Sequence, residues 1–269
     1  MYKLIAIDMD GTLLTTDKKI SERNKEAIKR AEEKGVKVVL TSGRPIEGLI
    51  RYLRELDLLK ETDYVISFNG SMAQNVKTKE IIFKSTLKGY DLKYLTNIAN
   101  NLGINILAFS PTRGLITPKI NQYTDHEAEM DEIDYNVVDF NTIDDDEDII
   151  KLMMIDPEPI LEEALRKMPK EIYEKYSVCR STPFYLEIMH KNVSKGNGVK
   201  ELSEMLGINR DEIITLGDAA NDLSMIKYAG LGIAMGNAFD EVKEIADFIT
   251  KSNDEDGVAY AIEKFILDK

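Results

Sequence analysis

The feature that most constrains the fold is an alternation of short apolar segments with amphipathic helical segments near both ends of the chain. Apolar segments at residues 4–7, 36–40 and 64–68 are separated by stretches of helical spacing, and the pattern returns at 213–216 and 231–235. Short apolar runs between amphipathic helices are typical of buried parallel strands. The chain is therefore predicted to be an α/β protein with a parallel sheet that helices cover on both faces.

The middle of the chain has a different pattern. Helical segments near 89–101 and 158–168 lie among strand-like runs at residues 104–109, 151–155, 176–180 and 184–188. The simplest interpretation is a second α/β domain, residues 85–188, inserted into a first domain made of residues 1–84 and 189–269. A length of 269 residues exceeds what one compact core usually needs, although one large domain is left open.

Polar residues follow several of the predicted strands. Asp8 and Asp10 come directly after the first strand, the run Ser42-Gly43-Arg44 follows the second, and Asp218 follows the strand at 213–216. Lys195 begins a predicted helix just after the insert. Because open α/β sheets bind ligands beyond the carboxyl ends of their strands, these residues are predicted to converge on one site.

These residue types suit phosphoryl transfer, which needs an in-line nucleophile and neutralisation of oxygen charge. A carboxylate can be the nucleophile, and Asp8 is predicted to form an aspartyl-phosphate. Its charge would repel a phosphate group unless cations intervene. Mg²⁺ prefers hard oxygen ligands, so Asp8 and Asp218 are predicted to bind it. Lys195 adds a fixed positive charge beside the nucleophile.

Other residues of the predicted site supply hydrogen bonds and a proton. The Ser42 hydroxyl can donate to a phosphate oxygen, and the turn at Gly11-Thr12 lets backbone N–H groups approach the phosphate. Asp10, two residues after the nucleophile, can protonate the leaving oxygen and then activate water against the intermediate.

Each motif also has a simpler interpretation. Asp-x-Asp-Gly is often a turn or part of a calcium loop, but a calcium loop needs further acidic residues where Thr12-Leu13-Leu14 follow. A Ser-Gly pair is commonly only a turn, Gly-Asp-x-x-Asn-Asp can be a helix cap, and a lysine is usually solvated. The occurrence of all of them in order, each at a strand end or helix start, favours a phosphate site.

The same residues resemble the motifs of the haloacid dehalogenase (HAD) superfamily. The matching motifs are Asp8-Met9-Asp10-Gly11-Thr12-Leu13-Leu14, Ser42 in Thr-Ser-Gly-Arg, Lys195 in Ser-Lys-Gly-Asn-Gly-Val, and Gly217-Asp218-Ala219-Ala220-Asn221-Asp222. The insert between Ser42 and Lys195 is similar to the large α/β cap of the Cof-type branch. The resemblance extends over nearly the whole chain, through runs at residues 68–70, 151–156, 184–188 and 256–259.

This resemblance implies a Rossmann-like catalytic core, a mobile cap that determines substrate specificity, and Mg²⁺-dependent hydrolysis of phosphorylated sugars or related metabolites. It implies that Asp8 is the nucleophile and that Asp10 is the general acid/base, which also binds the metal through its backbone carbonyl. Asp218 would be a further metal ligand.

The resemblance also implies roles around the reacting atoms. Asn221 and Asp222 would hold the phosphate or the water shell of the metal, while Arg44 and Asn69 would contact the substrate. Ala220 departs from the family pattern, because relatives often have glutamate there. It is not at a metal-ligand position, so we expect it to affect the rim of the site.

Composition restricts the partners. The net charge of -13 and the lack of a basic stripe argue against a nucleic-acid partner. No apolar run approaches the roughly 20 residues that span a bilayer. A single cysteine, Cys179, cannot form an internal disulfide, and we expect a cytoplasmic protein. A small phosphorylated metabolite is the predicted substrate, and the sequence leaves monomer and homodimer open.

Two rival functions fit the same motifs. A phosphomutase of the superfamily keeps both Asp8 and Asp10, whereas dehalogenases and ion-pumping ATPases lack the second aspartate. A phosphosugar-binding regulator that has kept the fold without turnover is the other rival, although no catalytic position is replaced. Release of free phosphate from a sugar phosphate separates the phosphatase from both.

Overall fold

A computed structural model describes residues 1–268 and divides into two compact units. The first consists of Met1–Lys84 together with the chain from Ser194 onward, and the second is Ser85–Val193. We call them the core unit and the insert unit.

Along residues 1–268 the strands are β1 (Leu4–Asp8), β2 (Lys37–Thr41), β3 (Tyr64–Ser67), β4 (Met72–Asn75), β5 (Ile81–Lys84), β6 (Leu87–Lys88), β7 (Asn105–Ser110), β8 (Gly114–Thr117), β9 (Tyr135–Val137), β10 (Asp148–Ile149), β11 (Lys151–Ile155), β12 (Tyr176–Thr182), β13 (Tyr185–His190), β14 (Ile213–Gly217), β15 (Leu231–Ala234) and β16 (Phe248–Ile249).

The α-helices of the same residues are α1 (Glu22–Glu33), α2 (Ile50–Glu55), α3 (Gly89–Leu102), α4 (Gln122–Asp131), α5 (Glu158–Lys167), α6 (Lys170–Lys175), α7 (Lys195–Met205), α8 (Leu223–Tyr228), α9 (Asp240–Ile245) and α10 (Gly257–Ile262), the last continuing as a π-helical turn to Leu267. In the part of the chain that the structure describes, no helix is both long and apolar enough to cross a lipid bilayer. The cytoplasmic location stays a prediction.

The core unit is built on one sheet with the order β16-β15-β14-β1-β2-β3-β4-β5. Every pairing from β16 to β3 is parallel, which confirms the predicted α/β class. The last two strands depart from this parallel arrangement, because β4 and β5 join the sheet antiparallel. They follow β3 through short turns, and such connections favour antiparallel neighbours.

Strand register in the core unit determines which side chains share an edge. β1 lies between β14 and β2, and Asp8 at its end is paired with Thr41 at the end of β2. On the other side Ile7 is paired with Leu216. The residues that follow the three strands therefore emerge at the same carboxyl edge of the sheet.

The insert unit has its own sheet, with the order β12-β13-β11-β7-β8-β9. Its pairings are antiparallel except for β8 with β9. One face carries an apolar core to which α3 and α5 contribute Leu92, Leu95, Ala99, Leu161 and Ala164.

The insert unit differs from the sequence prediction at its C-terminal boundary and in several elements that were not predicted, α4 among them. The predicted boundary after residue 188 falls inside β13, because His190 still pairs with Tyr176 of β12 and Val193 N–H donates to the His190 carbonyl. Helix α4 was not predicted, since its residues lack a regular apolar stripe. Its first turn is instead stabilised by Asn121, whose side chain accepts from the backbone N–H groups of residues 123 and 124.

A buried ion cluster links α4 to the insert sheet. Lys151 of β11 is 2 % exposed, and its Nζ lies 3.5 Å from carboxylate oxygens of both Glu127 and Glu187. Nζ also lies 4.8 Å from the centroid of the Phe109 ring. Burial disfavours the ammonium form, but attraction to Glu187 and Glu127 outweighs it and raises the pKa of Lys151.

We expect Lys151→Met to destabilise the protein by about 3–5 kcal/mol, because buried carboxylates would lose their cation. Urea unfolding at neutral pH measures the change. Lys119→Met removes an exposed lysine of the same unit and should stay within about 0.5 kcal/mol of the parent. Equal stabilities of the two variants would contradict a structural role for the cluster.

Candidate active site

Asp8 is the last residue of β1 and is buried. The Lys195 ammonium donates a hydrogen bond to Asp8 Oδ1. Burial, and then the charge of Asp222, raise the pKa of Asp8 well above its usual value, and the attraction of Lys195 only partly opposes them. The carboxylate is thus placed where a divalent cation would stabilise its ionised form.

Lys195 is the first residue of α7 and is completely buried. The helix begins there because the Ser194 side chain accepts from the backbone N–H of Asn197. Burial alone would lower the pKa of Lys195, but Asp222 and Asp8 raise it above its usual value. Lys195 is therefore a fixed cation beside the predicted nucleophile.

Asp222 is also completely buried, and both of its oxygens accept hydrogen bonds. Its Oδ1 accepts from Lys195 Nζ at 2.6 Å. Its Oδ2 accepts from the backbone N–H groups of Asp218 and Ala219 at 2.9 and 3.0 Å. The side chain therefore fixes the loop after β14 and orients Lys195.

Asp218, directly after β14, contacts the segment that follows Asp8. Its Oδ1 accepts from the Thr12 hydroxyl at 2.9 Å. Gly11 has φ +84°, and a Cβ there would lie 2.4 Å from Asp218 Oδ2. Only glycine permits this approach without displacing the carboxylate.

The three carboxylates form a cluster suited to a metal ion. One oxygen each from Asp8, Asp218 and Asp222 lies within 4.8 Å of the others. When all three carboxylates are ionised, Lys195 offsets only one of the three negative charges, and burial raises the pKa of both Asp8 and Asp218. A hard divalent cation fits both this charge and the all-oxygen donor set.

Asp10 is held by two cations. The Arg44 guanidinium donates from Nε to Oδ2 at 3.2 Å and from Nη2 to Oδ2 at 2.9 Å, while Lys18 Nζ lies 2.7 Å from Oδ1. Burial raises the pKa of Asp10, but Arg44 and Lys18 outweigh it and bring the pKa below its usual value. Asp10 is therefore ionised in this arrangement.

Ser42 and two asparagines lie at the same edge of the sheet. Ser42 is buried after β2, and its carbonyl accepts from Asn69 N–H at 2.9 Å. Asn69 has φ 55° and accepts at Oδ1 from Asn221 Nδ2 at 3.1 Å. A Cβ on Gly43 would lie 3.2 Å from Asn69 Nδ2. Asn69 is thus joined to the loop after β2, which carries Ser42, and to the loop after β14, which carries Asn221.

Two residues at the site were not predicted from the sequence. Lys18 reaches Asp10 as described, and Asn237 Nδ2 donates to the Gly11 carbonyl at 2.8 Å. Asn237 lies three residues after β15, so the strand-end rule that identified Asp8 and Asp218 could have identified it. No pattern in the sequence indicates Lys18.

Comparison with known proteins gives consistent matches over the chain. A family model described as haloacid dehalogenase-like hydrolase matches residues 5–262. YxeH of Bacillus subtilis is 42% identical over 271 residues, covering 100% of both chains. The 5-amino-6-(5-phospho-D-ribitylamino)uracil phosphatase YcsE of the same organism is 34% identical over 266 residues, covering 98% of this chain and 96% of YcsE.

Solved structures also match over nearly the whole chain. A haloacid dehalogenase-like hydrolase from Bacteroides thetaiotaomicron superposes with a TM-score of 0.87 at 35% identity, covering 99% of this chain and 100% of that one. The HAD subclass IIB sugar phosphatase BT4131 superposes with a TM-score of 0.81 at 26% identity, covering 98% of each chain.

Proposed function

The chain belongs to the haloacid dehalogenase-like hydrolases, and we propose that it hydrolyses phosphate monoesters of sugars or related small metabolites through Asp8. Relatives over its full length are named phosphatases, which places it among the phosphoric monoester hydrolases. The observation that carries the proposal is the buried Asp8 carboxylate, bonded to Lys195, with oxygens of Asp218 and Asp222 within 4.8 Å.

We propose that Mg²⁺ is the metal and that the side chains of Asp8 and Asp218 hold it, with the Asp10 carbonyl as a further ligand. The support is the excess of negative charge and the oxygen-only donor set. When bound, Mg²⁺ would offset the charge of the phosphate and of Asp8. Asp222, whose oxygens already accept three hydrogen bonds, would orient Lys195 and the loop that carries Asp218.

In the proposed reaction an Asp8 oxygen attacks phosphorus, and the bond from phosphorus to the leaving oxygen breaks. Asp10 gives its proton to that oxygen, forming the alcohol and leaving an aspartyl-phosphate on Asp8. Asp10 then takes a proton from water as the water attacks the same phosphorus, which frees phosphate and restores Asp8. Lys195 stabilises the negative charge throughout.

The contacts of Asp10 add a condition to this order of proton transfers. While Arg44 and Lys18 hold it, Asp10 is ionised and so in the form of the base. To act first as the acid it must leave Arg44 and bind a proton. We propose that Arg44 turns to the substrate, in keeping with the expected substrate contact, and thereby releases Asp10.

The remaining predicted residues would bind the phosphate. We propose that Ser42 and Asn221 donate to its oxygens, together with backbone N–H groups of Gly11, Thr12 and Gly43. Asn69 would orient Asn221, to which it is hydrogen-bonded. The choice of carbon skeleton would belong to the insert unit.

A phosphate-release screen tests the function. We expect the purified protein with Mg²⁺ to release phosphate from one or more phosphorylated sugars, cofactors or nucleotides, and EDTA to abolish the release. Intramolecular transfer without free phosphate would identify a phosphomutase. Binding of sugar phosphates with no turnover would identify a regulator, and either result would overturn the proposal.

A further inference from the structure

Two loops of the core unit hold the segment that follows Asp8. Asn237 Nδ2 donates to the Gly11 carbonyl at 2.8 Å, and Asn253 Nδ2 donates to the Leu14 carbonyl at 2.9 Å. Leu14 in turn forms an isolated β-bridge with Asp10. The backbone that follows the proposed acid/base is therefore held by side chains from distant parts of the chain.

Gly11 makes such support necessary. Its contact with Asp218 excludes any Cβ, and its φ of +84° is a conformation that only glycine adopts readily. Glycine is also the residue with the most backbone freedom, so the sequence alone does not fix the orientation of this peptide. The hydrogen bond from Asn237 supplies that restraint on the Gly11 carbonyl.

Asn237 is itself held on both sides. Its Oδ1 accepts from the backbone N–H of Asn253 at 2.9 Å. Its loop is tied to the end of β14, because Met235 N–H donates to Gly217 and Phe239 N–H donates to the Asp218 carbonyl, both at 3.0 Å. One side chain thus connects the Asp218 loop to the peptide after Asp10.

We propose that Asn237 is a positioning residue for the phosphatase reaction. By holding the Gly11 carbonyl, Asn237 keeps the Asp10 side chain and the Asp10 backbone carbonyl in a fixed place relative to Asp8 and Asp218. The inference rests on the proposed function, and it assigns Asn237 no contact with substrate. Loss of one such supporting hydrogen bond commonly costs a factor of about 10 to 100 in activity.

Two substitutions separate the bonds that Asn237 makes. Asn237→Ala removes both, and it should lower kcat about tenfold with KM changed by less than about twofold. Asn237→Asp keeps an acceptor for Asn253 N–H but cannot donate to the Gly11 carbonyl, so it should lose as much kcat as the alanine variant. Asn209→Ala is the matched control, since this asparagine lies on the loop before β14 and its side chain hydrogen-bonds only to nearby Glu212 among the described residues.

Hydrogen exchange gives a readout that does not depend on activity. We expect the peptide covering residues 9–16 to exchange faster in both Asn237 variants and at the parent rate in Asn209→Ala. Parent-like kcat in Asn237→Ala would overturn the proposal. Parent-like kcat in Asn237→Asp would also overturn it, because the bond to Asn253 would then be the one that matters.

The proposed phosphatase function and the proposed role of Asn237 can fail independently of each other. If the parent protein releases no phosphate from any substrate, the phosphatase proposal fails. The exchange rates of residues 9–16 then still decide whether Asn237 holds the Gly11 segment, and unchanged rates would reject that as well.

Discussion

Asp8→Asn is expected to lower Mg²⁺-supported phosphate release by a factor on the order of 10⁴ or more, because an amide cannot form the acyl-phosphate. Asparagine has nearly the same shape and keeps an oxygen that can accept from Lys195, so the fold should persist. The measurement is kcat with saturating substrate and Mg²⁺. Retention of more than a few per cent of the parent rate would show that Asp8 is not the nucleophile.

Asp17→Asn is a matched control for this variant. It makes the same chemical change at an exposed position nine residues along the same segment, and it should leave kcat within about a factor of two. Thermal unfolding should place Asp8→Asn at or above the parent, because burial and the charge of Asp222 make the Asp8 carboxylate unfavourable in its ionised form.

Lys195→Met should reduce both activity and stability. Its ammonium is the shared donor to Asp8 and Asp222, and all three side chains are buried. Leaving these carboxylates without their cation should destabilise the core unit by about 3–5 kcal/mol. We expect kcat to fall by a factor on the order of 10² or more, because a charge beside the transferred phosphoryl group is lost.

Urea unfolding and phosphate release measure the two effects of Lys195→Met. Lys200→Met, on the exposed face of the same helix, should change stability by less than about 0.5 kcal/mol. In the double variant with Asp8→Asn, one unpaired charge is removed, so stability should recover part of the loss. A double variant less stable than Lys195→Met would contradict the assigned pairing.

The convergence of the site residues could be predicted from the sequence because they follow predicted strands. Asp8, Ser42 and Asp218 each follow a short apolar run, and in a parallel sheet such positions share one edge whatever the rest of the chain does. The position of Lys195 followed in the same way from a helix start. These placements depend on local periodicity and on one topological rule, so they required no knowledge of side-chain contacts.

Other features depend on contacts between residues far apart in sequence. The pairing of Asp10 with Arg44 joins residues 34 positions apart, and that of Asn237 with Gly11 joins residues 226 apart. Spacing in the sequence does not indicate which distant donor reaches a given acceptor. Helix α4 and the hairpin of β4 and β5 were missed because their apolar residues follow neither period clearly.

Asp8 is proposed to carry the phosphoryl group during turnover. Rapid mixing of the protein with a ³²P-labelled substrate and Mg²⁺, followed by acid quenching and peptide mapping, tests it directly. We expect transient label on the peptide that contains Asp8, removed by hydroxylamine as acyl-phosphates are, and none in Asp8→Asn. Steady release of phosphate with no protein-bound label at any quench time, or label on another residue, would contradict it.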